Sequence, residues 1–182
     1  AIAHRSGALS LVDGYQAAGQ LPVDVRALEV DFYLGGGLKW LLGGTGVAFL
    51  YARPDLLAAL RPSVTGWFAH REQFKFDPRA FEFHDDARRL EAGTPPLMPV
   101  YAQLGGLDVI EEVGVPAIRA ATAALTEDLI AGALALGLLP KVAPRPEERG
   151  AIVMLPSDDP HADVRRPADA GFSVDPRPGQ LR

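Results

Sequence analysis

The sequence predicts an α/β layer followed by a smaller α+β region. Three observations support that expectation. From Ala8 to Leu60, short apolar runs that end in glycine alternate with helical stretches. From Leu97 to Leu136, two stretches carry helical periodicity, and only short apolar runs follow them. The composition, 48% hydrophobic and 23% charged over 182 residues, is that of a chain that can bury a core.

Taken in order, Ala1 to Gly7 reads as the last turn of a helix, with Gly7 as its stop. Ala8-Leu9-Ser10-Leu11-Val12 is an apolar run closed by Asp13-Gly14, which suits a buried strand. Pro22 to Glu29 has room for about two helical turns. Val30 to Leu34 is a second strand, ended by Gly35-Gly36-Gly37, and Thr45 to Tyr51 is a third. Pro54 then starts a helix over Asp55 to Leu60, since proline is well placed in a first turn. Thr65 to Arg89 is rich in aromatic and charged residues without a period, the signature of a long ordered loop. Helices follow over Leu97 to Glu112 and Val115 to Leu136, the second with Leu125, Leu129 and Ile130 on a core-facing stripe. Ala151 to Leu155 and Phe172 to Val174 read as strands around a helix at His161 to Ala170, which Pro167 weakens. The predicted division is 1–94, including the loop 65–94, and 95–182. Gly179 to Arg182 reads as the opening of another strand, so a piece of a longer protein is expected.

Composition also excludes functions. No cysteine occurs, which removes disulfides, thiolate metal sites and a cysteine nucleophile. No apolar run reaches the roughly 18 to 20 residues of a membrane span. A net charge of −5 without a basic block argues against nucleic-acid binding. There is no Walker loop, no G-x-G-x-x-G opening a helix, no G-x-S-x-G and no HExxH.

Two residues stand out. Only three lysines occur against fifteen arginines, and Lys39 lies in an apolar, glycine-bounded segment from Leu34 to Gly44. An amine held among apolar groups loses stabilisation of its charged form and becomes a nucleophile for carbonyl carbon. The alternative is a surface lysine whose stem lies along apolar neighbours. Asp13 ends a predicted strand, where open α/β sheets bind ligands; its alternative is a turn residue before Gly14. A lysine and a strand-end aspartate are the pair that a pyridoxal-phosphate site needs. The first forms a Schiff base and the second keeps the pyridine nitrogen protonated.

Further segments extend the pattern: Val12-Asp13-Gly14-Tyr15-Gln16-Ala17-Ala18-Gly19, Pro22-Val23-Asp24-Val25, Val30-Asp31-Phe32, Gly36-Gly37-Leu38-Lys39-Trp40 and Gly46-Val47-Ala48-Phe49-Leu50-Tyr51. Thr65-Gly66-Trp67-Phe68, Glu91-Ala92-Gly93-Thr94-Pro95-Pro96 and Arg177-Pro178-Gly179-Gln180-Leu181-Arg182 continue it. Together they resemble fold-type I pyridoxal-phosphate enzymes of the aminotransferase class V family, on the branch of kynureninases and isopenicillin N epimerases. The resemblance covers essentially the whole chain. It implies the carboxyl-terminal part of a large domain, with a mostly parallel sheet and helices, followed by a small α+β domain.

The resemblance implies roles position by position. Lys39 would link to the cofactor and later move a proton. Asp13 would pair with the pyridinium nitrogen, and Gln16 would contact the ring's phenolic oxygen. Trp67 would line the pocket, its alternative being plain packing. Thr94 would reach the phosphate of a partner subunit's cofactor, its alternative being a helix cap before Pro95. Arg182, with Arg177 second, would bind the substrate carboxylate, its alternative being a chain end of no consequence. Two departures matter. Relatives place histidine or tyrosine directly before the lysine, whereas Leu38 and Gly37 stand here, and the family's phosphate cradle lies upstream of Asp13.

The implied protein is a cytoplasmic homodimer that acts on an amino acid, with no nucleic-acid or membrane partner. Transamination, epimerisation and side-chain cleavage share their first step; cysteine desulfuration is disfavoured for want of a cysteine. The rival reading is an inactive paralogue or fragment with a structural or dimerising role. A third, a sugar- or nucleotide-binding module, rests on the glycine runs alone.

Overall fold

The computed structural model describes residues 2–182, which form two compact units, 2–113 and 114–182. Ala1, the first residue of the expected helical turn, lies outside the described residues.

The first unit opens with a single turn, α1 (Ile2–Arg5), stopped at Gly7, whose φ of +68° suits glycine. Three strands follow: β1 (Leu11–Asp13), β2 (Phe32–Gly36) and β3 (Ala48–Ala52). They pair in that order, β1 parallel to β2 and β2 antiparallel to β3. The mostly parallel sheet expected is thus mixed among the described strands. The chain between β2 and β3 contains no crossover helix, and without one the next strand returns antiparallel. The helix expected over Pro22 to Glu29 is instead a capped turn. The Asp24 carboxylate accepts hydrogen bonds from the backbone of Arg26 at 2.8 Å and Ala27 at 3.1 Å, and Glu29 closes the turn at a φ of 51°. Such an aspartate offers its backbone an alternative to helix.

Helix α2 (Pro54–Leu57) starts at the predicted proline but ends early. The loop after it holds three isolated 3-10 turns, at Trp67–Ala69, Gln73–Lys75 and Ala87–Leu90, with a bridge between His70 and Phe83. Buried Arg89 anchors it. Its guanidinium donates to the carbonyls of His84 at 2.8 Å, Leu60 at 3.1 Å and Leu57. Helix α3 (Leu97–Val113) completes the unit. The expected domain line at 94/95 lies before α3. The division into compact units lies after it, because α3 packs on residues 41–46.

The centre of this unit holds Val30, Tyr33, Ala52, Ala69 and Ile110, together with one fully buried carboxylate, Asp31. Asp31 accepts from the Ser10 backbone at 2.6 Å and the Ser10 hydroxyl at 2.9 Å. It also meets His4 Nε2 at 2.8 Å and the Arg53 guanidinium at 2.5 Å. These bonds hold its carboxyl far below the usual carboxylate range, the Ser10 backbone bond most of all and the His4 bond next. One side chain thereby ties α1, the start of β1, β2 and the end of β3 together.

In the second unit, α4 (Val115–Ala135) begins at the predicted residue. Its buried stripe is Thr126, Ile130 and Ala133, while Leu125 and Leu129, expected on that stripe, are exposed. The Thr126 hydroxyl is satisfied inside the helix, donating to the Thr122 carbonyl at 2.6 Å. β4 (Leu155–Pro156), β5 (Pro176–Arg177) and β6 (Gln180–Leu181) form an antiparallel sheet in the order β4-β6-β5. The strand expected at Phe172 to Val174 does not form. Pairing is set by the Pro178-Gly179 turn, with Gly179 at a φ of +70°, so the paired residues lie just beside it. Ala151 to Leu155 likewise contributes only Leu155 to β4 and a bridge from Met154 to Lys141. The helix expected over His161 to Ala170 is split into α5 (Pro160–Asp163) and α6 (Arg165–Asp169), with Pro167 in the first turn of α6.

Candidate functional site

β1 and β2 run parallel, so their carboxyl ends lie side by side: Asp13 pairs with Leu34, and the chain leaves β2 two residues later. Lys39 follows directly in the turn beyond β2. This places an acid and an amine at the carboxyl edge of adjacent parallel strands, where ligands bind in open α/β sheets. An open cleft of about 430 Å³ is lined by Asp13, Tyr15, Gln16, Leu38 and Lys39. Three of the predicted residues thus share one cleft.

Local geometry holds each of them. Asp13 Oδ1 accepts from the Tyr15 backbone at 2.9 Å, and the Gly14 backbone donates to the Leu34 carbonyl at 2.8 Å. Buried Tyr33 lies beneath Gly14, where a Cβ would fall 1.9 Å from the ring. Burial, and then the charge of Asp13, push the Tyr33 phenol above its ordinary value. Gln20 Nε2 donates to the Gln16 carbonyl, which fixes the turn bearing Gln16. Lys39 Nζ lies 4.9 Å from the centre of the Tyr15 ring, a cation–π distance, and among the described residues no carboxylate pairs with it. Lys39 is exposed rather than enclosed by apolar groups. The flanking Leu38 and Leu42 are themselves about half exposed, because the segment is a turn that packs through its backbone.

The glycines before Lys39 have a structural reason. A Cβ on Gly36 would fall 2.2 Å from the Tyr15 ring, and one on Gly37 would fall 1.6 Å from the Gln103 side-chain oxygen. The bare backbone at these two positions lets Tyr15 and Gln103 approach closely. Neither residue stands out in the sequence as a site residue: Tyr15 lies within the 12–19 segment of the family resemblance, and Gln103 carries no sequence signal.

The other predicted residues lie elsewhere. Thr94 is exposed and lines a larger cleft of about 950 Å³ with Leu34, Gly35, Phe49 and the 86–96 segment. Tyr15 is a wall of both clefts. Trp67 is not in the Lys39 cleft. Its indole donates to the Gln73 carbonyl at 3.1 Å, stacks edge-on with Phe68 and Phe74, and borders an opening of about 500 Å³ with His70 and Phe81. The loop bearing Trp67 touches the Thr94 segment, since a Cβ on Gly66 would collide with the Ala92 carbonyl. In the second unit, Arg182 holds Asp175 in a two-pronged contact at 2.9 and 2.7 Å, and Arg177 meets the same carboxylate at 2.7 Å. Both arginines are shaped to grip a carboxylate, and Asp175 occupies that grip.

The Lys39 cleft suits pyridoxal phosphate by its donor set. It offers an amine without a competing carboxylate for the aldehyde, a carboxylate for the ring N–H and an amide for the phenolic oxygen. Among the described residues no cluster fit for a metal ion occurs, and no helix is long and apolar enough to cross a membrane.

Comparison with known proteins agrees with that chemistry. The family model for aminotransferase class-V matches residues 1–164. The chain is 38% identical over 137 residues to the uncharacterized aminotransferase YcbU of Bacillus subtilis, covering 75% of this chain and 36% of the relative. It is 31% identical to the kynureninase of Pseudomonas fluorescens, covering 97% of this chain and 44% of that one. A probable cysteine desulfurase of Halobacterium salinarum and an isopenicillin N epimerase of Streptomyces clavuligerus also match, at 35% and 37% identity. Among solved structures, C-DES with glycine linked to its PLP cofactor aligns with a TM-score of 0.80 at 26% identity, over 96% of this chain and 46% of that one. The chain spans less than half the length of each of these proteins. Matched over most of its length, the chain belongs to the aminotransferase class-V family.

Proposed function

We propose that the protein containing this chain is a pyridoxal-phosphate enzyme that acts on an amino acid, with Lys39 as the residue that links to the cofactor. The observation that carries this reading is the single cleft joining Asp13, Gln16 and Lys39 at the carboxyl edge of two parallel strands. When bound, the cofactor supplies an electron-drawing ring that stabilises negative charge on the substrate's α-carbon. Lys39 would hold the cofactor through its Nζ and, once released by substrate, would take up the α-proton. Asp13 would accept the cofactor ring's N–H and keep it protonated. Gln16 would donate from its amide to the phenolic oxygen. Trp67 and Thr94 line the neighbouring openings, with Thr94 reaching the phosphate site of a second subunit. Arg182, or Arg177 in its place, holds the substrate carboxylate after leaving Asp175. Residues 1–94 then belong to the cofactor domain and 95–182 to the small domain.

The test is reductive trapping. The complete protein is incubated with pyridoxal phosphate, reduced with borohydride, and mapped by mass. The expected label sits on Lys39 and disappears in Lys39→Ala, while a folded protein unlabelled at Lys39 refutes the reading. A screen of amino acids then separates transamination, epimerisation and side-chain cleavage. Sedimentation of the holoprotein tests the dimer.

A further inference from the structure

Helix α3 presents one stripe, Pro99, Ala102, Gln103 and Gly106, to the turn that follows β2. Ala102 faces Gly44, Pro99 faces Gly46, and a Cβ on Gly106 would fall 2.5 Å from the Leu41 carbonyl oxygen. Gln103 is the polar member of the stripe and is buried. Its Nε2 donates to the Leu41 carbonyl at 2.9 Å. Its Oε1 has no hydrogen-bond partner and lies over the Cα atoms of Gly37 and Gly43, with the Cβ position of Gly43 only 1.9 Å away.

Those two glycines are the ends of the turn bearing Lys39. The Gly43 backbone donates to the Gly37 carbonyl at 2.8 Å, and the Leu42 backbone donates to the Lys39 carbonyl at 3.0 Å. Leu42 takes a φ of 56°, which a leucine adopts only when its surroundings enforce it. A buried amide that satisfies its donor and leaves its acceptor bare is costly for packing alone, because an apolar side chain of equal size would avoid the loss.

We propose that Gln103 is the positioning residue for Lys39. Its amide spans both ends of the turn, holds its middle by the Leu41 carbonyl, and so sets the direction in which α3 aims the amine at the Asp13–Gln16 cleft. This inference rests on the reading of Lys39 given above.

The test compares Gln103→Leu, which keeps the volume and removes the donor, with Gln103→Glu, which keeps the shape and turns an acceptor toward the Leu41 carbonyl. Leu104→Ala, at a half-exposed neighbour on the same helix, is the control. Two quantities are read in the complete protein. One is amide hydrogen exchange at Leu42 and Gly43 without cofactor. The other is borohydride-trapped pyridoxal phosphate at Lys39, with Lys75 and Lys141 as internal references. In that trapping the amine displaces the carbonyl oxygen as water, and borohydride delivers hydride to the C=N carbon. Both Gln103 variants are expected to exchange faster at Leu42 and Gly43 and to lose roughly tenfold in Lys39 labelling rate, the effect of one buried hydrogen bond. Lys75, Lys141 and the control stay at wild-type levels. In Gln103→Glu, protection at Gly43 returns as the pH falls and the carboxyl regains its proton, a recovery that a merely space-filling residue would not show. If Gln103→Leu fails to fold, this recovery alone decides, and its absence overturns the proposal. Wild-type exchange and labelling in Gln103→Leu overturn the proposal alone. Wild-type protein unlabelled at Lys39 overturns the underlying reading, and this inference with it.

Discussion

At the scale of single residues, lysine scarcity makes Lys39 conspicuous in the sequence, whereas Asp31 stands in one of the segments that carry the resemblance with no sign of its structural role. Asp31 is an aspartate between valine and phenylalanine in a strand-like run, and its four bonding groups come from Ser10, His4 and Arg53. A carboxyl whose folded value is depressed adds stability above its ordinary value, here 3.8, and loses it as the pH falls through the folded one. The denaturation midpoint is therefore expected to be flat in this contribution above about pH 5 and to fall steeply below about pH 4. Asp31→Asn should remove most of that slope and lower the midpoint at pH 7. Asp55→Asn, whose carboxylate is exposed, should leave both nearly unchanged. Acid denaturation curves of the two variants check this. Asp13 and Lys39 stand out in the sequence beside strand-like runs, whereas Gln16 is singled out only by the family resemblance, since it lies in the turn after β1. The apolar neighbourhood expected for Lys39 was not borne out, since a glycine-rich turn buries backbone rather than leucine side chains.

At the scale of elements, α3 and α4 were readable to within a residue or so, because many turns of one period outweigh any local ambiguity. The strands were found but displaced, as β1 shows: the apolar run begins at Ala8, while pairing with β2 begins at Leu11. Hydrophobicity marks a strand; only its partner sets the ends. The stripe of α3 that grips the turn after β2 was illegible, because it links residues 62 positions apart through an amide and two glycines. It has a measurable consequence. Gly37→Ala should cost about 1–3 kcal/mol by overpacking against Gln103, and Gln103→Ala in the same chain should recover part of that loss. By contrast, Gly105→Ala in α3 and Gly132→Ala in α4 meet nothing within 4 Å and should each raise stability by about 0.5–1 kcal/mol. Chemical denaturation of the four variants separates the two classes.

At the scale of the molecule, much apolar surface is open: Leu9, Leu11, Phe49 and Leu50 around the first sheet, and Leu97, Met98, Tyr101 and Leu104 on α3. Surface of that kind marks a face that further protein covers. The 182 residues alone are accordingly expected to bind a hydrophobic dye and to associate as concentration rises, which light scattering would register. They are also expected to bind pyridoxal phosphate weakly, because the Lys39 cleft is open and contributes no phosphate cradle. Stoichiometric tight binding in a titration would contradict that.

Ionic strength acts unequally on the long aromatic loop. Its outer contacts are exposed ion pairs, Arg71 with Asp85 at 2.5 Å and Arg88 with Asp86 at 2.8 Å, which dissolved salt screens. Its inner anchor, Arg89, faces only carbonyl oxygens and the Phe83 ring, out of reach of counterions. Brine should therefore fray the rim of this loop and leave its root in place, so that the openings beside Trp67 and Thr94 change shape with salinity while the sheet beneath them does not.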